Sequence, residues 1–313
     1  MSAPFTKFPS SASITPNPFT VSIPDEQLND LKTLIRLSKI APPTYESLQA
    51  DGRFGITSEW LTTMREKWLS EFDWFGSFVE FYPILQLFQE EYTPETLPFH
   101  LIVPSLPGYT FSSGPPLDKN FGLMDNARVV DQLMKDLGFG SGYVIQGGDI
   151  GSFVGRLLGV SFDACKVNLC AMGAPPEGPS IESLTAAEKE GIARMEKFMT
   201  NGLAYAMEHS TRPSTIGHVL SSSPIALLAW WTTPTASAPN GATMLQKEFY
   251  IHKPFGFSFF PKDLCPVPRS WIATTGNLVF FQDHAEGGHF AALERPRELK
   301  ADLTAFVEQV WQK

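Results

Sequence analysis

The chain of 313 residues carries 33 acidic against 24 basic side chains, a net charge of −9, and 43% hydrophobic residues. That length and apolar content build a large packed core and exclude a disordered chain, and the acidic balance excludes a partner such as nucleic acid that is held by neutralising its phosphates. The three cysteines, Cys165, Cys170 and Cys265, have neither the number nor the paired spacing of a disulfide framework or a zinc site, so a reducing, cytoplasmic compartment is expected.

The first 20 residues, broken by Pro, Ser and Thr, read as an irregular arm without the apolar run of a signal peptide. The longest apolar stretch, residues 225–231, is far shorter than a bilayer span, so no membrane partner is expected. Pro24, Asp25 and Glu26 open a predicted helix whose apolar positions are Leu28, Leu31, Leu34 and Ile35. A second helix starts near Ser58 and places Trp60, Leu61, Met64, Trp68 and Leu69 on one face, which needs a larger body to pack on. From Gly76 onward strand and helix alternate, the pattern of a mostly parallel sheet covered on both faces. Strands are predicted over residues 100–104, 143–146, 167–172, 255–260 and 271–281, with helices over 126–137, after Gly151, and over 296–311. Helix-rich text over 180–245 interrupts the alternation and reads as an inserted lid. The division that follows is a helical meander at 1–73, an α/β core in two parts at 74–178 and 246–313, and the lid at 179–245.

One stretch carries chemistry. The strand ending in Gln146 runs through Gly147-Gly148-Asp149-Ile150-Gly151-Ser152 into a helix. A sharp strand-to-helix turn flanked by small residues is how α/β-hydrolases raise a nucleophile, and here the apex is a carboxylate, which rules against a serine esterase. A carboxylate attacks an electrophilic carbon directly and leaves an ester for water to cleave. The competing reading is that Asp149 only caps the helix, a role that does not call for glycines on both sides. In this fold the acid and the histidine follow the nucleophile along the chain. Asp263, just beyond a predicted strand, is the acid candidate, with Asp283 as its rival. His289, in the loop Glu286-Gly287-Gly288-His289-Phe290, is the base candidate, its glycines leaving the imidazole free to swing.

The segments IPDEQLNDLK, ITSEWLTTMREKWLSEFDW, GSFVEFYPIL, VPSLPGYTFS, GGDIGS, FPKD and EGGHFAALE give the chain a resemblance, over nearly its whole length, to the fungal soluble epoxide hydrolases of the α/β-hydrolase superfamily. The resemblance implies an α/β-hydrolase fold with an N-terminal meander at about residues 17–73. It also implies conversion of an epoxide and water to a vicinal diol, with no metal or organic cofactor, and it allows a homodimer. By the same resemblance Asp149 attacks the epoxide, Tyr205 donates a proton or hydrogen bond to its oxygen, and His289, oriented by Asp263, activates the water. A haloalkane dehalogenase shares the Asp nucleophile, but an aromatic would be expected where Ile150 stands.

Two departures stand out. The family carries a His-Gly-x-Pro loop immediately before the text matching Gly76-Ser77-Phe78-Val79, and here that place reads Phe72-Asp73-Trp74-Phe75. The early strands are missing with it, which leaves the Ile150 amide as the surviving oxyanion donor. The lid is cut short after Trp230, so no second lid tyrosine is assigned, Tyr250 included. A smaller join near residues 165–168 is shortened too. The alternative function is therefore an impaired or non-catalytic remnant that binds an apolar ligand or a partner subunit.

Overall fold

The computed structural model describes residues 7–50, 54–71, 80–169, 180–231 and 249–311. Helices α1 (Asp25–Leu37), α2 (Ser58–Ser70), α3 (Tyr82–Glu91) and α4 (Leu123–Met134) precede strand β1 (Tyr143–Gly147), helix α5 (Asp149–Ser161) and strand β2 (Cys165–Leu169). Helices α6 (Ala186–Asn201), α7 (Ala204–Thr211), α8 (Pro213–Ser222) and α9 (Pro224–Trp231) follow. The chain then runs through β3 (Ile251–Phe259), α10 (Arg269–Ile272), β4 (Gly276–Asp283), α11 (Ala291–Glu294) and α12 (Pro296–Val310). Two compact units result: Met1–Asn17, Ser77–Met195 and Asn240–Lys313 form one, and Pro18–Gly76 with Glu196–Pro239 form the other.

The first unit is built on a parallel sheet in the order β1-β2-β3-β4. Parallel strands are buried on both faces, and the apolar runs in β1 and β3 suit that environment. Helix α5 is buried from Ser152 through Gly159 and packs Phe153, Val154, Leu157 and Leu158 against Val167, Ile251, Phe255 and Phe257 of the sheet. Within this apolar mass the Arg156 guanidinium donates to the Thr275 carbonyl at 2.8 Å, to Thr275 Oγ1 at 3.1 Å and to the Phe249 carbonyl at 3.2 Å. Burial lowers its pKa to about 10, which leaves it charged at neutral pH. A second cluster joins α3, α11 and α12 through Ile84, Phe88, Ala291, Ala292 and Leu299, with Phe260 from beyond the end of β3.

Four expectations need correction. Residues 100–104 form no strand, because β1 stands at the end of the described sheet and pairs only with β2. Apolar composition supplies propensity, but a strand exists through the N–H and C=O groups of a partner. The strand predicted from Trp271 begins instead at Gly276, since Pro268 leads residues 269–272 into a helical turn. Helix α4 begins at Leu123, where the Asp125 carboxylate accepts the Gly122 amide at 3.0 Å, and its last turn loosens before Gly138, whose φ is +91°. There the N-terminal arm is pinned: Ser11 Oγ donates to the Gly138 carbonyl at 2.9 Å and the Ser13 amide to the Asp136 carbonyl at 2.8 Å. Strand β2 starts at Cys165, and the end of its predicted range lies outside the described residues.

The second unit is helical. Its core sets Ile35 of α1 against Ile225 and Leu228 of α9, with Trp60, Leu61, Met64, Trp68 and Leu69 of α2 packed around them. The aromatic face of α2 thus finds its partner in α9. Thr57 fixes where α2 starts, its Oγ1 accepting the Trp60 amide at 3.1 Å. No described helix is long and apolar enough to cross a membrane.

Candidate active site

The turn from β1 into α5 is tight at one glycine. A Cβ on Gly147 would collide with the carbonyl of Gly151, while a Cβ on Gly151 would meet nothing. The demand for a small residue therefore falls on Gly147, and Gly151 is not needed for space. Two substitutions separate these cases. Gly147→Ala is expected to cost about 1–3 kcal/mol through overpacking, whereas Gly151→Ala, inside a helix, gains up to about 1 kcal/mol, both read by denaturant unfolding. Between the glycines Asp149 takes φ +46°, a left-handed conformation rare for a side-chain-bearing residue and costing about 1–2 kcal/mol. It is the first residue of α5, with Gly148 at the cap position, so the capping role considered for it is not the one its side chain plays.

That side chain points to His289. Asp149 Oδ2 lies 2.8 Å from His289 Nε2, and His289 Nδ1 lies 3.3 Å from Oδ1 of Asp263. Asp263 is buried, with side-chain exposure of 4% against 36% for Asp149. Its turn is set by its own amide donating to the Phe260 carbonyl at 3.1 Å, and Oδ1 also accepts the Cys265 amide at 3.1 Å. Both ring nitrogens of His289 are engaged, which leaves none for Asp283, the last residue of β4. The glycines beside His289 serve close packing rather than freedom to swing. Gly287 has φ +106°, and a Cβ there would lie 2.6 Å from the Phe260 ring.

Burial of His289 disfavours its charged form, but hydrogen bonds to Asp149 and Asp263 and the charge of both carboxylates outweigh it and raise its pKa from 6.5 to about 10. The imidazole is therefore a cation held between two carboxylates at neutral pH. A folded-state pKa raised in this way contributes stability that is full below pH 6.5 and lost as pH rises through 10. The melting temperature is expected to fall over that interval, and His289→Gln should flatten the fall.

Ile150 is the second residue of α5, in the first turn where helix amides lack intrahelical acceptors. Residues 72–75, where the sequence departs from the family pattern, lie outside the described residues, as do residues 232–248, where the sequence reading expects the lid to be cut short. Tyr205 belongs to the helical unit. It is half-buried on α7, with its ring edge-on to His209 at 5.9 Å, and His209 accepts a 2.8 Å hydrogen bond from Trp230 Nε1.

Two residues near Asp149 escaped the sequence reading. Burial raises the pKa of Glu80; His289 opposes that rise and Asp149 adds to it. Burial also raises Tyr109, with Asp149 adding to it. Both sit in segments that carried the family resemblance, GSFVEFYPIL and VPSLPGYTFS, but neither has a spacing relative to Gly147–Ser152 that marks it as a neighbour of the turn.

Comparison with known proteins shows the family and the fold. The model for the epoxide hydrolase N terminus matches residues 16–101 and that for the alpha/beta hydrolase fold matches residues 74–168. The structure of Aspergillus niger epoxide hydrolase superposes with a TM-score of 0.92 at 73% identity, covering 99% of this chain and all of that one. A provisionally named epoxide hydrolase of Dothistroma septosporum is 34% identical over 396 aligned residues, covering 99% of this chain and 94% of its own. An alignment of 396 positions against a chain of 313 leaves at least 83 without a counterpart here, consistent with internal joins. The juvenile hormone epoxide hydrolase of the silkworm Bombyx mori, at 18% identity, shares the fold with a TM-score of 0.75. With a parallel α/β sheet and near-complete overlap with these relatives in hand, the chain belongs to the epoxide hydrolase family and is a hydrolase of the alpha/beta-hydrolase fold.

Proposed function

We propose that this enzyme opens an epoxide through a covalent ester on Asp149 and that His289, held by Asp263, drives hydrolysis of that ester to a vicinal diol. The observation that carries the reading is the His289 imidazole set between two carboxylates at 2.8 and 3.3 Å. An exposed carboxylate in a strained turn suits attack, and a buried one suits orienting the base. In the first step an Asp149 oxygen forms a C–O bond to the epoxide carbon and the ring C–O bond breaks; the departing oxygen takes a proton, the donor role that the family resemblance alone gives to Tyr205. Esterification removes the charge of Asp149, so one of the two carboxylates that raise the His289 pKa is gone. The imidazolium then releases its proton, which restores the tyrosine by way of solvent, and becomes a base. Neutral His289 takes a proton from water, the hydroxide attacks the ester carbonyl, and the Ile150 amide faces the developing oxyanion. Collapse expels the product oxygen, which takes the imidazolium proton to complete the diol, and Asp149, now carrying one water oxygen, returns its own proton to His289. The division at residues 73, 178 and 245 into meander, core and lid, cytoplasmic residence and a homodimer are parts of the same reading.

The test is a single turnover of styrene oxide in ¹⁸O water followed by peptide mass analysis. The label is expected in the peptide containing Asp149, and an unlabelled peptide beside diol formation would overturn the covalent route.

A further inference from the structure

Outside the proposed catalytic set the same unit buries a second histidine–aspartate pair. His284 Nε2 lies 2.7 Å from Asp302 Oδ2, with side-chain exposures of 12% and 5%. A polar pair this dry is costly and packs no better than apolar side chains of the same volume, so packing alone does not account for it. Its place in the chain does. Asp302 stands on α12, whose Leu299 lies in the cluster with Phe260, Ala291 and Ala292. The His284 ring that it holds stacks on Phe260, centroids 4.6 Å apart and planes 13° from parallel. Phe260 accepts the Asp263 amide through its carbonyl and so shapes the turn that presents the acid.

His284 is also the head of the loop that carries His289. Its amide donates to the Phe259 carbonyl at 3.0 Å, the Lys262 amide donates to the Gly287 carbonyl at 2.9 Å, and Lys262 and Gly288 form an isolated parallel bridge. The acid turn and the base loop are thus joined along their length, and the His284 ring on Phe260 adds a side-chain contact between them. Neither His284 nor Asp302 is hydrogen-bonded to Asp149, Asp263 or His289 among the described contacts.

We propose that the His284–Asp302 pair is a positioning device that sets the Asp263–His289 separation and thereby the ester-hydrolysis step. This rests on the role given to His289 above. The 3.3 Å separation is longer than the 2.7–2.9 Å usual for a charge-assisted bond, so small movements of either loop decide whether the bond forms. Misplacement of about 1 Å from a remote change can cost about 10²-fold in rate.

The test uses Asp302→Ala, His284→Phe, which keeps the stacking on Phe260, and Asp302→Asn, which keeps an oxygen acceptor for the His284 N–H. Thermal melts report the folded fraction, rapid quench with styrene oxide separates ester formation from ester hydrolysis, and proton NMR follows the His289 Nδ1–H resonance. In the first two variants ester formation per folded enzyme should stay within about twofold while hydrolysis slows about 10–10²-fold, so that alkylated enzyme accumulates, and Asp302→Asn should recover most of the rate. The His289 resonance should move in Asp302→Ala. Hydrolysis at the parent rate in the first two variants, or both steps falling only with the folded fraction, overturns the proposal. If the parent enzyme forms no ester on Asp149, the reading of the mechanism fails. The positioning inference is then decided by the NMR signal, and a His289 resonance unmoved by Asp302→Ala overturns it.

Discussion

Asp149→Ala is expected to lower epoxide turnover by about 10⁴-fold or more, the scale seen when a member of a nucleophile–base unit is removed. On the proposed mechanism Asp149 supplies the only atom that bonds to the substrate in the first half-reaction, so no neighbour can take over its step. The same position allows a second substitution to separate chemistry from structure. Ala and Gly both remove the carboxylate, but only Gly accepts φ +46° without strain. Asp149→Gly should therefore be as inactive as Asp149→Ala yet more stable by about 1–2 kcal/mol in denaturant unfolding. Equal stability would mean that the left-handed conformation at Asp149 stores no strain. Both variants also remove one of the carboxylates that raise His289, so its pKa should fall from about 10 in an NMR titration. A His289 pKa unchanged by the loss of Asp149 would show that the two side chains are uncoupled.

That Asp149, Asp263 and His289 belong to one candidate site was legible before any coordinates. Gly147 and Asp149 announce themselves because a tight turn needs a missing Cβ, and chain order narrows the partners to a few loop residues. Order could not choose between Asp263 and Asp283, since both follow predicted strands. The choice needs the turn in which the Phe260 carbonyl accepts the Asp263 amide and presents its carboxylate to His289. Glu80 and Tyr109 were invisible for a related reason: their nearness to Asp149 is a product of tertiary packing and leaves no local period or spacing. In the fold, helices with a single apolar stripe such as α1 and α2 were placed from their spacing, α1 beginning at Asp25, one residue after the Pro24 expected to open it, and α2 at Ser58, near which its start was expected. Residues 100–104 show the limit of that approach. Their side chains specify a strand, but pairing is a property of two segments, and a single run of sequence does not carry its partner's edge.

Replacing His289 by Gln is expected to separate the two half-reactions. Asp149 remains charged and able to attack, so a single burst of epoxide consumption should persist, while hydrolysis of the resulting ester falls by about 10⁴-fold and alkylated protein accumulates in intact-mass spectra. Loss of the burst together with turnover would instead make His289 necessary for attack and overturn its assignment as the base for water. The missing sequence before Gly76 bears on the same step. Ring opening places charge on the epoxide oxygen, whereas ester hydrolysis places it on the carbonyl oxygen of Asp149, and it is this second oxyanion that backbone donors near the nucleophile stabilise. The chain contains no His-Gly-x-Pro anywhere, so on the proposed mechanism one donor is absent, and one such donor is worth about 10²–10³ in rate. The unmodified enzyme should therefore already be limited by hydrolysis, showing alkylated Asp149 at steady state. His289→Gln then deepens a bottleneck that the sequence itself has built, and a parent enzyme with no detectable ester under saturating epoxide would place the slow step at ring opening instead.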